Sequence, residues 1–377
     1  MPAVPRKILL NPGPATTTEG VKAALVVADI CPREQEFVRL LDQVRDDLVR
    51  IAGGDPETHT CVLLAGSGTA AMDAVLNSVV PPDGGVVVIN NGAYGQRLAE
   101  IARCYQLPLY ELTFPWGQWP ELSLLRETLH AHPRISHLAV VHHETSTGLL
   151  NPLPAIAALA RDHGVSLIVD AISSLGGVPV NIHTDAIDYL LSTSNKCLQG
   201  MPGLAWVICR REGLEESRQI PRRSYYLNLY QQYRHFEANG QMQFTPPVQV
   251  VYALAQAIRE FWEEGADNRF RRYRRNWEIL MDGLRDLGFR ILLPLERQSP
   301  LLTTVLEPDD PNYNFDRLHN ALYEKGFTIY PGKLQDSATF RLATIGAISE
   351  ADIKDFLDAL KAVLQAEGIT IPLSYSL

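Results

Sequence analysis

Several features are scarce in this sequence, and each absence excludes something. Nowhere do its 377 residues reach the roughly 18 uninterrupted apolar positions that a membrane-crossing helix needs. The opening apolar run, Ile8-Leu9-Leu10, breaks at Asn11-Pro12-Gly13-Pro14 and is too short for the core of a secretory signal. Cysteine is limited to five, an odd number without CxxC spacing, which argues against a zinc site or secreted disulfide framework and for a reduced, cytoplasmic setting. Positive charge is outnumbered, 34 Lys+Arg against 43 Asp+Glu, so the chain lacks the basic surface that displaces counterions from a polyanion. Neither nucleic acid nor membrane is therefore expected as a partner, and any anionic ligand has to be met by cations gathered locally. No internal repeat or low-complexity tract is present.

What remains is ordinary globular material, 46% hydrophobic and 20% charged, long enough for two or three structural units. Short apolar runs recur at 62–64, 86–89, 138–141, 167–169, 189–191 and 205–209. Apolar residues at helical spacing fill the intervals, as at Leu153, Ile156, Leu159 and Ala160. That alternation predicts an α/β fold with a mostly parallel sheet. Segment 211–247, rich in Tyr, Gln and Arg, reads as a loop-rich crossing. Helices are expected at 248–263 and 268–287, and short strands with helices at 315–325 and 349–364 predict a smaller α+β unit. The expected division is a large domain over 15–265 and a small domain built from 1–14 together with 266–377.

Ligands of such sheets bind where the strands end, so the residues after the apolar runs are the ones to inspect. Gly66-Ser67-Gly68-Thr69 joins a strand to a helix and offers amides, hydroxyls and a helix terminus to a phosphate, although it is neither a Walker loop nor a GxGxxG fingerprint. Asp170 ends the run 167–169, and Lys196 follows the run 189–191. Singly, each is as well explained by a turn, a cap or a solvated side chain. Together they form a pattern, because pyridoxal phosphate needs a Schiff-base lysine, an acid for its pyridine nitrogen and a cradle for its phosphate.

Longer segments carry a resemblance. Leu64-Ala65-Gly66-Ser67-Gly68-Thr69, Asn91-Gly92-Ala93-Tyr94-Gly95, Val141-His142-His143-Glu144-Thr145-Ser146-Thr147-Gly148, Val169-Asp170-Ala171-Ile172-Ser173-Ser174, Ser194-Asn195-Lys196-Cys197-Leu198-Gln199-Gly200, Phe244-Thr245-Pro246-Pro247 and Ile329-Tyr330-Pro331-Gly332-Lys333 resemble the class V, fold-type I aminotransferases along nearly the whole chain. The resemblance implies pyridoxal 5′-phosphate as cofactor, with Lys196 as its covalent anchor and Asp170 paired to the pyridine nitrogen. It implies that Ser67, Gly68 and Thr69 bind the phosphate, that Tyr94 lies against the cofactor ring, and that Thr145 bonds its phenolic oxygen. Thr245 matches a residue that reaches the phosphate from a neighbouring subunit, which implies a homodimer with a shared active site. Arg341 matches the arginine that holds the substrate carboxylate. The implied partners are a small-molecule amino donor and a 2-oxo acid. The segments at 195–200 and 330–333 favour the branch that passes nitrogen from 2-aminoethylphosphonate to pyruvate. Alanine:glyoxylate or serine:pyruvate transamination, and a hydroxylated aminoethylphosphonate donor, stay open. Asn11, His143 and Ser146 depart from the residues associated with those positions, which leaves the exact donor open rather than the cofactor. A cysteine desulfurase would need a late reactive cysteine, and none follows Cys209.

Other signals are weaker. His142, His143 and Glu144 lack a third spaced ligand, and adjacent strand residues point to opposite faces, so no metal is expected. Arg269, Arg271, Arg272, Arg274 and Arg275 read as a solvated helix face beside Glu263, Glu264 and Asp267. The tyrosines from Tyr225 to Tyr233, with Arg222 and Arg223, read either as subunit-interface packing or as part of a second anion site.

Overall fold

A computed structural model describes residues 6–334 and 337–375. Its central sheet has seven strands: β1 (His59–Gly66), β2 (Gly85–Asn90), β3 (Leu109–Thr113), β4 (Ile135–Val141), β5 (Ser166–Asp170), β6 (Tyr189–Thr193) and β7 (Gly203–Arg210). Their spatial order is β1-β7-β6-β5-β4-β2-β3, and β7 alone runs antiparallel to its neighbours. Each of the six apolar runs lies in one of these strands. Val86, Val87, Val88 and Ile89 are fully buried, as β-branched residues of an inner parallel strand are when both sheet faces are covered. Strand β3 has no counterpart among the runs: it is a half-buried edge strand in which Tyr110 and Glu111 interrupt the apolar residues.

Helix α1 (Gly68–Val79) follows β1, and α2 (Ala93–Cys104) follows β2, so both begin at the same sheet edge. Helices α3 (Val248–Glu264) and α4 (Ala266–Leu287) lie within two residues of their expected bounds. One core runs from Phe37 to Phe261 around the large sheet, and a second joins Ile8 and Leu10 to residues between Leu280 and Leu373. The second core is covered by β8 (Leu302–Leu306), β9 (Tyr330–Pro331) and β10 (Thr339–Ala343), antiparallel in the order β8-β10-β9. Helix α5 (Glu350–Ala366) opens on a capping box, in which the Ser349 and Asp352 side chains each accept from the other's backbone N–H. The amino-terminal segment packs on this part: Ile8–Leu9 pairs in parallel with Phe327–Thr328, and Ala343 N donates to Leu10 O at 2.8 Å.

Two expectations need correction. The crossing over 211–247 contains helices, Arg211–Glu216 and Leu229–Asn239, the latter capped by the Asn228 side chain accepting from Gln231 N at 2.9 Å. Tyr230, Tyr233 and Phe236 form its buried face, because tyrosine spaced three apart serves as core when its ring packs inward. Tyr225 and Tyr226 stay exposed and pack on Phe244, while Arg223 donates to Asn77 O and Val80 O at the end of α1. Nor is the arginine run of α4 wholly solvated. Arg269 is buried, with Nε 2.7 Å from Glu264 Oε2 and Nη1 3.4 Å from Cys197 O, and Arg272 takes the other Glu264 oxygen at 2.7 Å. A carboxylate positioned at the end of α3 makes an inward arginine tolerable.

Candidate active site

Strands β1, β2, β4, β5 and β6 end at one edge of the sheet, and antiparallel β7 begins there, so their turns converge. A cavity of about 260 Å³ opens at that edge, lined by Ser67, Gly68, Thr69, Tyr94, Thr145, Asp170 and Lys196 among others. Sequence reasoning named all seven.

Lys196 sits in the turn after β6. Thr193 Oγ1 donates to Leu204 O at 2.7 Å, Gly200 N to Ser194 O at 2.8 Å and Ala15 N to Asn195 O at 3.0 Å, which together pin the turn. Its Nζ donates to Pro12 O. The side chain passes so close to Gly13 that a Cβ there would stand 2.3 Å from Nζ and 2.7 Å from Cε, and Gly13 has φ +129°. Only glycine meets both demands. Burial lowers the amine's pKa below the ordinary lysine range, with Arg341 acting the same way and Tyr94, Cys197 and Asp170 opposing.

Asp170 closes β5, and its Oδ1 accepts from Ile172 N at 2.9 Å. Burial pushes its carboxyl up to about 7, Glu144 adds to the effect, and the Ile172 bond, Arg97 and Lys196 pull against it. At the head of α1 the Ser67 side chain makes no capping bond, which leaves its hydroxyl and the first-turn amides to an anion. Sequence reasoning passed over Arg97. It lies one helical turn after Tyr94, which was the available signal. It lines the cavity, donates Nη1 to Thr69 Oγ1 at 3.2 Å and stacks 4.9 Å from the Tyr94 ring centroid.

Glu144 proves to be an anchor for α2. Its Oε2 accepts from Tyr94 N at 3.0 Å and Gly95 N at 3.2 Å, and its Oε1 from Ser146 N at 3.2 Å and Ser146 Oγ at 2.6 Å. This places a carboxylate at a helix amino terminus, where the dipole favours it. The Tyr94 phenol is raised by burial, but Lys196 and Lys333 outweigh that effect, with help from a Thr145 hydrogen bond, and leave it lowered. His142 and His143 face Ser174 Oγ at 3.0 Å and Ser173 O at 3.2 Å, and burial pushes them down to about 3 and about 4. His143 lines the cavity with a buried Nε2 that has no hydrogen-bond partner. Among the described residues no three side chains are grouped to hold a metal.

Arg341, in β10, is buried beside this wall, its Nε bonded to Pro331 O at 3.0 Å and Nη1 to Thr145 O at 3.1 Å. Thr245 is not brought into the cavity by its own chain; it lies exposed in the loop ahead of α3.

The cavity therefore gathers a half-buried amine, a buried carboxyl, an uncapped helix terminus with an arginine beside it, and an unpartnered imidazole nitrogen. That donor set fits pyridoxal phosphate, its phosphate, pyridine nitrogen and aldehyde alike. Fold and site together define a fold-type I pyridoxal phosphate enzyme. Within that class the chain belongs to the class-V aminotransferases, matching the family over residues 21–332. It is 41% identical over 373 residues to a 2-aminoethylphosphonate–pyruvate transaminase of Aeromonas hydrophila subsp. hydrophila, covering 97% of each chain. A 2-aminoethylphosphonate–pyruvate transaminase of Salmonella typhimurium is 41% identical over 360 residues, covering 95% of this chain and 97% of that one. Among solved structures, an alanine–glyoxylate aminotransferase from Nostoc sp. matches with a TM-score of 0.89 and 29% identity, covering 97% of each chain. Among the described residues no helix is long and apolar enough to cross a membrane.

Proposed function

We propose that the chain transfers the amino group of 2-aminoethylphosphonate to pyruvate, giving phosphonoacetaldehyde and L-alanine. The observation that carries this reading is the convergence of Lys196, Asp170 and the Ser67–Thr69 turn on one cavity, in a chain 41% identical to transaminases of that name.

Pyridoxal phosphate, when bound, supplies an electron-withdrawing ring that acidifies the carbon bearing the substrate nitrogen. Lys196 is the covalent anchor in this reading, and its burial-lowered pKa suits its amine to take and return a proton at that carbon. Asp170 supplies the counter-charge for the ring nitrogen; a cation beside it would relieve the cost of ionising so deeply buried a carboxyl. Ser67, Gly68 and Thr69 receive the phosphate, with Arg97 adding charge beside Thr69. Tyr94 would lie against the ring and Thr145 would hydrogen-bond its phenolic oxygen, both lining the cavity. Arg341, already oriented by Pro331 O and Thr145 O, binds the carboxylate of pyruvate or alanine.

The reading includes a homodimer in which Thr245, exposed on its own chain, reaches the partner's phosphate site. It includes a large cofactor domain over 15–265 and a small one from 1–14 with 266–377, supported by the two separate cores. It also includes a cytoplasmic setting, in keeping with five unpaired cysteines.

The test is the half-reaction. Purified protein carrying pyridoxal phosphate, mixed with 2-aminoethylphosphonate alone, should lose its visible cofactor absorbance, and pyruvate should restore it with release of alanine. An unchanged band with 2-aminoethylphosphonate, alongside turnover of alanine or serine with glyoxylate, would move the chain to the reading that the Nostoc match favours. Borohydride reduction followed by peptide mass analysis should mark Lys196.

A further inference from the structure

Two cations of one hairpin lie just behind residues that line the cavity, Arg341 on Thr145 O and Lys333 over the Tyr94 ring. Register pairs Tyr330 with Arg341 and Pro331 with Phe340, and Lys333 follows in the turn. Gly332 permits that turn: its N donates to Thr339 O at 2.7 Å, and a Cβ on it would stand 1.9 Å from Thr339 Oγ1. The Lys333 Nζ consequently lies 4.9 Å from the centroid of the Tyr94 ring, which lines the cavity. Among the described residues no ion pair involves Lys333. The two cations are held differently. Arg341 is buried and tied to two carbonyls, whereas Lys333 is half-buried on a flexible stem.

The substrates of the proposed reaction also differ in their anions. In alanine and pyruvate the carboxylate is joined directly to the reacting carbon and carries one charge. In 2-aminoethylphosphonate the phosphorus lies one methylene further out, and the group carries more than one negative charge near neutral pH, as a phosphate does. One arginine matches a carboxylate in shape and charge. The phosphonate has a longer reach and an additional charge to be met.

We infer that Lys333 is a donor-specificity residue, holding the phosphonate of the amino donor together with Arg341 and contributing much less to binding the carboxylate of the three-carbon substrates. The inference rests on the donor proposed above. It also explains how one cavity serves two anions in alternate half-reactions: the fixed guanidinium meets both, and the lysine is recruited by the larger one.

The experiment measures, for holoenzyme, the efficiency of the 2-aminoethylphosphonate half-reaction divided by that of the L-alanine half-reaction. Lys333→Met should lower this ratio by about ten- to hundred-fold, the effect of losing one charged hydrogen bond, and Lys333→Arg should restore most of it. The alanine half-reaction and the cofactor absorbance report that the variants have folded. Wild-type turnover of 2-aminoethylphosphonate with an unchanged ratio in Lys333→Met overturns the inference alone, as does a parallel fall in both half-reactions. A wild-type protein inert to 2-aminoethylphosphonate overturns the donor assignment and the inference with it.

Discussion

Replacing Asp170 with asparagine should make the cofactor-free protein more stable, and increasingly so as pH rises. The Asp170 carboxyl is pushed up to about 7 from an ordinary 3.8, mainly by burial. The folded chain therefore holds this proton over a pH range in which the unfolded chain has released it, so ionisation works against folding. Below about pH 4 both states are protonated and the effect vanishes; between about 4 and 7 stability is progressively lost as pH rises; above about 7 the loss is complete. Linkage puts the cost at about 2 kcal/mol at pH 5 and about 4 kcal/mol at pH 8. Asparagine keeps an oxygen for Ile172 N, bonded at 2.9 Å in the native protein, and removes the charge. Urea unfolding of wild-type and Asp170→Asn proteins, both stripped of cofactor, at pH 5 and pH 8 measures the difference directly. Titrating groups that do not interact with Asp170 are common to both proteins and cancel, so the comparison reads the Asp170 proton together with its coupling to Glu144 and Lys196. An asparagine variant no more stable than wild type at pH 8, or an advantage that does not grow between the two pH values, would refute the argument. Adding pyridoxal phosphate should reverse the ranking, since the wild-type carboxylate then gains a cationic partner.

Other substitutions probe the remaining supports. Glu144→Ala leaves the N–H groups of Tyr94, Gly95 and Ser146 without their acceptor and should cost about 3–9 kcal/mol at about 1–3 kcal/mol per orphaned buried donor; a denaturation loss under about 1 kcal/mol would show that α2 is not anchored there. Gly13→Ala puts a methyl group 2.3 Å from Lys196 Nζ and should slow the half-reaction with any donor by about tenfold or more, as a misplacement of about 1 Å does. Stopped-flow rates equal to wild type would count against a positioning role for Gly13. Arg97→Met should weaken pyridoxal phosphate binding by about ten- to hundred-fold through loss of a charged hydrogen bond. Fluorescence titration of the stripped protein reads this, and an unchanged dissociation constant would remove Arg97 from the phosphate site.

Much of the large sheet is legible as apolar runs because its inner strands are buried on both faces and contain little but Val, Ile, Leu and Ala. The same rule hides β3, whose edge position lets Tyr110 and Glu111 share the strand. Tyr230 and Tyr233 mislead for a related reason: tyrosine suits a loop, an interface or a core, and only the packing of Leu229–Asn239 against its neighbours decides. Arg269 is illegible because its burial depends on Glu264 and on Cys197 O, one five residues away and the other far upstream. In the cavity, Ser67, Asp170 and Lys196 can be located because sheet topology forces strand ends together, whereas Tyr94 and Thr145 enter through the resemblance. The approach of Arg341 and Lys333 is tertiary, made by a hairpin of the other core, and no spacing along the chain predicts it. Gly13 belongs to the same group, since its contact with Lys196 is set by the pairing of Ile8–Leu9 with Phe327–Thr328.

That pairing bears on how the protein is made. A ribosome delivers Ile8 to Pro14 well ahead of their partners at Phe327, Thr328 and Ala343. The large sheet is complete once Arg210 has emerged, and domains generally fold as units in order of appearance. Lys196 can therefore be in place while Pro12 and Gly13 still wait for their anchorage. The amine's finished surroundings wait for the later segment, and removing either half of that pairing would reach the same lysine.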